Sequence, residues 1–151
     1  MAKCIDSTGQ PLPQDAWAGL DRVTLAELLE SPRPQAILRC QPADDLRPQP
    51  ADLWQRCAGI EIEFPKFMDG RGFSQARLLR ENGYSGPLRA VGDVLVDQLF
   101  YMRRCGFDQF ELDEAVRPEA IAAVLGQFAV IAQPSWNDQG LRRRKGAPAA
   151  A

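Results

Sequence analysis

The chain has 151 residues, 45% of them apolar and 25% charged, the makeup of a single globular domain. It contains no histidine, which removes imidazole as metal ligand, general base or triad member, and its cysteines, Cys4, Cys40, Cys57 and Cys105, lack the paired spacing of a zinc or iron–sulfur site. The net charge is only −2 and four of the basic residues are clustered at 142–145, so the body before them is acidic and ill-suited to neutralising nucleic-acid phosphates.

In chain order, residues 1–20 read as an irregular leader or hairpin. Seven of the twelve prolines fall before residue 51, which makes the first third less regular than the rest. Thr24, with Glu27 three residues on, predicts a capping box at the start of a short helix that ends before Pro32. Residues 36–40 form a short strand candidate, 42–50 a loop, and 51–57 about two turns of helix. Residues 60–64 predict a strand with Ile60, Ile62 and Phe64 on one face and Glu61 and Glu63 on the other. A helix over 74–82, capped by Ser74, stops at Gly83. A strand over 88–92 leads to Asp93, the natural N-cap of a helix over 94–105 that Gly106 terminates. A strand over 107–112 and a helix from Pro118 to about residue 132, with Ile121, Val124, Leu125 and Phe128 inward, complete the series.

Strand and helix alternate with short links, so the expected fold is α/β: a parallel sheet of about four βα units, as an open sheet or half of a barrel. The expected plan is a leader over 1–20, one domain over 21–134, and a disordered tail over 135–151, first basic and then rich in alanine and proline. No apolar run approaches the ~20 residues of a membrane-spanning helix, and the N-terminus lacks a signal-peptide core, so the expected compartment is the cytoplasm.

In such folds ligands are held just past the carboxyl ends of parallel strands. Two clusters fall there. After the first strand come Lys66, Asp69, Arg71 and Ser74, with Gly70 and Gly72 between them; Arg77 extends the group along the helix. Glycines permit a sharp turn, a helix start aims free N–H groups outward, and arginine adds a forked donor, so the pattern suits a small anion. After the second strand come Gly92 and Asp93, with Arg89 on the strand itself. The anion-binding candidates are therefore Lys66, Arg71, Ser74, Arg77, Arg89 and Asp93. The acid/base candidates are Glu61, Glu63, Asp69 and Asp97. Glu61 and Glu63 leave one strand face about 6.6 Å apart. They serve as an interacting carboxylate pair, or this face is turned to solvent, or Arg89 on the neighbouring strand neutralises them. Nothing in the composition calls for a cofactor or a metal.

The strings Phe64-Pro65-Lys66-Phe67-Met68-Asp69-Gly70-Arg71-Gly72-Phe73-Ser74 and Leu88-Arg89-Ala90-Val91-Gly92-Asp93-Val94-Leu95-Val96-Asp97-Gln98, followed by Cys105-Gly106-Phe107-Asp108, resemble an uncharacterised bacterial family, domain of unknown function 934. The resemblance runs from about residue 36 to 133. Members of that family are often encoded beside assimilatory sulfite reductase and described as oxidoreductases of sulfite reduction. The resemblance implies a pathway, sulfite reduction, and not a chemistry; taken with the strand-end clusters, the expected function is an accessory protein of that pathway that binds a small anion or docks on a sulfite-reducing enzyme. The alternative is an enzyme acting on a sulfur-pathway intermediate. The implied partner is sulfite reductase or a related enzyme; independently of the resemblance, the sheet edge and apolar face that four βα units leave uncovered make a self-dimer or a hetero-complex the expected way to cover them.

Overall fold

The computed structural model describes residues 2–13, 15–47, 49–50 and 52–126. Six strands form one open sheet in the order β1-β6-β5-β4-β3-β2. They are β1 (Ala2–Asp6), β2 (Arg22–Val23), β3 (Arg33–Cys40), β4 (Cys57–Phe64), β5 (Leu88–Gly92) and β6 (Gln109–Asp113). From β2 to β6 every neighbouring pair is parallel, and only β1 runs antiparallel, against β6. The fold is thus mostly parallel α/β, with β2 to β6 in consecutive order and β1 added beside β6. Right-handed crossovers between consecutive strands carry their helices to a single face of the sheet. Those helices are α1 (Leu25–Glu30), α2 (Arg71–Glu81), α3 (Leu99–Cys105) and α4 (Pro118–Leu125).

Strand alternation decides what each face buries. Ile60, Ile62 and Phe64 of β4 stand in register with Leu38 and Cys40 on one side and Leu88, Ala90 and Gly92 on the other. With Phe110, Leu112 and Ile5 they form the sheet half of the core, and Leu28, Ala76, Leu79, Leu99, Met102 and Ile121 supply the helix half. Each fully buried large apolar side chain contributes roughly 1.5–3 kcal/mol, so this face carries the stability.

The second sheet face is polar. Arg39, Glu61, Arg89 and Gln109 form one registered row across four strands. Among the described residues no helix covers it; the leader does. Trp17 is buried with its ring over Gly59, where an added Cβ would lie 2.3 Å from Cζ2. The Arg89 guanidinium stacks 4.2 Å from the Trp17 ring centroid. Arg89 also donates to both oxygens of Asp15, at 2.9 and 2.7 Å, and to Oε1 of Gln109. The buried carboxylate of Glu61 accepts from Arg22 at 3.2 Å and from Arg39 at 2.7 Å. Glu61 is therefore neutralised, but by Arg22 and Arg39 rather than by Arg89, which the leader's Asp15 engages.

Local signals set several boundaries. Thr24 and Glu27 form the expected reciprocal capping box of α1. Gly106 ends α3 at φ +119°. Elsewhere the boundaries move. The strand over 36–40 starts at Arg33, and the residues expected as two helical turns form a short 3₁₀ turn over Leu53–Arg56. The helix expected from residue 94 divides into a 3₁₀ turn over Val96–Gln98 and then α3, so Asp93 caps nothing. β1 and residues 10–12 make a hairpin, tied by Asp6 N–H to Gln10 O and Leu12 N–H to Cys4 O. The end of the last expected helix, with Phe128, and the expected tail 135–151 lie outside the described residues. Among the described residues, no helix is long and apolar enough to cross a membrane.

Candidate functional site

Two loops rise from the carboxyl end of the sheet at its centre. Residues 41–47 follow β3, and residues 65–70 follow β4. The second loop leads straight into α2, which begins at Arg71, three residues before the expected start. Ser74 is consequently not a cap but an exposed residue of the first turn. Asp69 takes over part of the capping role from outside the helix: its Oδ1 accepts the Arg71 N–H at 3.2 Å. The same carboxylate grips the Arg71 side chain, with Nε at 3.0 Å and Nη2 at 2.7 Å.

The loop after β3 repeats this device. Asp45 Oδ1 accepts the Arg47 N–H at 3.1 Å and Arg47 Nε at 2.9 Å, while Oδ2 accepts Nη2 at 3.0 Å. Both units read Asp-x-Arg in the sequence: Asp45-Leu46-Arg47 and Asp69-Gly70-Arg71. A carboxylate held against both the guanidinium and a backbone N–H is stabilised in its charged form. Arg47 accordingly holds the Asp45 carboxyl down, to about 2, and Arg71 holds Asp69 below its ordinary value. In both arginines the Nη1 group makes no hydrogen bond with any described residue.

The two units face one groove of about 470 Å³, lined by Asp44, Arg47, Arg71, Ser74, Gln75 and Leu78 among others. Gln75 fastens its walls together, because Nε2 donates to Gln41 O at 2.8 Å and Asp44 O at 3.1 Å. Leu46 between the pair is buried in the core and anchors the loop from below. On the other side of Arg71 lies a second groove, of about 480 Å³, bordered by Pro65, Lys66, Met68, Asp69 and Gly70. Lys66 is exposed on its rim and makes no ion pair with any described residue.

The structure therefore brings Lys66, Asp69, Arg71 and Ser74 together around two adjoining grooves. Asp93 supports them from the neighbouring strand end. Its carboxylate accepts the Phe67 N–H at 2.9 Å, and its own N–H donates to Phe64 O at 2.7 Å. Gly92 permits that approach: its φ is +94°, and an added Cβ would stand 2.4 Å from Phe64 O. Arg77 lies apart, on the α3 side of α2, where its charge acts on Tyr101 and Cys105. Arg89 is also apart, buried in the polar row under Trp17. Glu61 belongs to that row, Glu63 stands in register with Val91 on the same face, and Asp97 is exposed on the 3₁₀ turn. Arg47 and Gln75 were missed in the sequence, although the repeated Asp-x-Arg spacing would have pointed to Arg47.

Chemically, the groove presents two oriented guanidinium edges and a hydroxyl, with each arginine's charge balanced by its own aspartate. Such a site donates hydrogen bonds to an oxyanion without concentrating net positive charge. Every residue named for it lies within the family match given below. No curated protein and no solved structure matches this chain. A family model described as bacterial protein of unknown function, DUF934, matches residues 38–141, and the chain belongs to that family.

Proposed function

We propose that this protein is a cytoplasmic accessory protein of assimilatory sulfite reduction that holds a small oxyanion at the arginine groove and works beside a sulfite-reducing enzyme. The observation that carries the anion reading is the pair of aspartate-braced arginines, Arg47 and Arg71, on the walls of one groove, with their Nη1 groups unengaged by any described residue. Bracing supports binding because the side chains are already ordered, so less rotamer entropy is lost when a ligand arrives. The sulfur pathway rests on the family resemblance, and an oxyanion of sulfur suits the donor set.

A ligand stabilises a protein only through its affinity for the native state. Sulfite and sulfate should therefore raise the melting temperature of the purified protein at low ionic strength, and Arg47→Ala and Arg71→Ala should each remove most of that rise. Both arginines are exposed and lie outside the core, so the variants fold. An unchanged rise in both variants would place any bound anion elsewhere. The accessory role further predicts that the protein co-purifies with sulfite reductase from the same cell and does not itself reduce sulfite. Sulfite reduction by the isolated protein with an added electron donor would favour the enzyme alternative instead.

A further inference from the structure

The arginine groove is larger and less one-signed than a free oxyanion requires. At about 470 Å³ it falls within the range of pockets that hold small organic molecules. Its lining carries two guanidinium groups, those of Arg47 and Arg71, and two carboxylates, those of Asp44 and Asp45. Asp45 is engaged by Arg47, and Arg71 is gripped from outside the groove lining by Asp69. Asp44 makes no ion pair with any described residue. An inorganic anion on the two arginines would find its donors, but it would share the groove with a carboxylate that no described residue neutralises.

Asp44 is held as firmly as the arginines are. Its Oδ2 accepts the Gln41 N–H at 2.8 Å, and its own N–H donates to Gln41 O at 3.0 Å. Its carbonyl accepts from Gln75 Nε2 at 3.1 Å, which ties it to α2. With Oδ2 so used, Oδ1 has no hydrogen-bond donor among the described residues. Gln75 adds a second empty acceptor beside it. Its Nε2 donates to Gln41 O and Asp44 O and the residue is only 7% exposed, yet Oε1 has no partner among the described residues. A buried acceptor left empty carries a desolvation cost that a bound donor removes.

The groove thus has unused edges of both kinds. The Nη1 groups of Arg47 and Arg71 can only donate, whereas the oxygens of Asp44 and Gln75 can only accept. Sulfate carries acceptors alone and serves one half of the set. Pro42, Ala43 and Leu78 border the same groove and offer apolar surface to a short carbon chain.

We propose that the ligand of this groove is a small zwitterion of the aminoalkyl sulfonate type, an oxyanion joined through a short carbon chain to an ammonium group. The oxyanion takes the Nη1 edges of Arg47 and Arg71, and the ammonium donates to Asp44 Oδ1. A molecule of zero net charge suits a lining with equal numbers of each sign. The proposal rests on the reading of the arginines as an oxyanion site and adds a cationic half to the ligand.

The test is calorimetric titration of the full chain at low ionic strength and neutral pH, where an alkyl ammonium is charged. The probes are aminoalkyl sulfonates with chains of increasing length, each set against the alkyl sulfonate of the same length. The best aminoalkyl sulfonate should bind at least about tenfold more tightly than its counterpart without nitrogen. Asp44→Asn keeps an acceptor for the Gln41 N–H, and it should reduce that preference to about twofold or less without weakening the alkyl sulfonate. Arg71→Ala should weaken both. Equal affinities throughout the series overturn the proposal and leave the arginine reading standing. A preference that survives Asp44→Asn also overturns it, because the ammonium then sits elsewhere. Failure of both sulfonate classes to bind, with the sulfate-induced rise in melting temperature intact, overturns this proposal alone. Loss of the sulfate response as well overturns both readings.

Discussion

Asp15→Asn should be among the most damaging single changes on the polar face, and its cost can be argued from the partner it abandons. Arg89 is 2% exposed, whereas Asp15 retains 27% exposure. Removing one partner of a buried ion pair typically costs about 3–5 kcal/mol, because the other charge is left uncompensated. Here Arg89 would keep Gln109 Oε1 at 3.0 and 2.8 Å and the Trp17 ring, which lowers the expected cost to about 2–3 kcal/mol. Arg89→Met should cost less, about 1–2 kcal/mol, because the Asp15 carboxylate it strands can still reach water. Urea denaturation followed by far-ultraviolet circular dichroism measures both, and the double variant yields the coupling. The reasoning predicts an acid dependence as well. The bond from Arg89 holds the Asp15 carboxyl below its ordinary value in the folded protein. A depressed folded value means the contribution is fully present above the unfolded carboxyl value of about 3.9 and is lost as pH falls through the folded one. Wild type should lose stability over that interval more steeply than Asp15→Asn. The argument fails if Asp15→Asn costs less than about 0.5 kcal/mol, the range of an indifferent surface change, or if Arg89→Met proves the costlier of the two.

Other predictions follow from single contacts. Gly59→Ala drives a methyl into the Trp17 ring and should destabilise by about 1–3 kcal/mol in the same assay, with a red shift in tryptophan emission as the ring is displaced. Gly92→Ala forces a side chain onto the Phe64 carbonyl at φ +94° and should cost more than about 1 kcal/mol, measured as a lowered melting temperature. Thr24→Ala breaks the reciprocal cap of α1 and should cost about 1 kcal/mol by urea denaturation, with no effect on anion binding.

Much of the fold was legible because short-range chemistry set it. The alternation at Ile60, Ile62 and Phe64, the Thr24–Glu27 box and the glycine stop at Gly106 each depend on neighbours within a few residues, and each appears as read. The start of α2 was misplaced because Ser74 is a good cap in isolation. Asp69, two residues before the helix, supplied the acceptor instead and drew the helix back to Arg71. The leader was legible as an irregular stretch or a hairpin, and the hairpin of β1 with residues 10–12 is there, but its packing on the polar face was not legible. Its role depends on Asp15 and Trp17 meeting Arg89 and Gly59, separations of more than forty residues that no local pattern encodes. The site was half legible for the same reason. Lys66, Asp69, Arg71 and Ser74 are contiguous and were grouped, while Arg47 joins them only through the adjacency of β3 and β4.

The two borders of the sheet have a consequence for how copies of this protein can meet. On one side β1 is backed by residues 10–12, whose backbone bonds use part of its outer row of donors and acceptors. On the other, β2 offers only two residues, one of them Arg22, whose side chain is committed to Glu61. A strand needs a longer open row than this to template another chain. The backing of β1 and the brevity of β2 make these two strands poor seeds for strand-by-strand growth into fibrils. Contact between copies through either of these two strands would then rest on side chains more than on extension of the sheet.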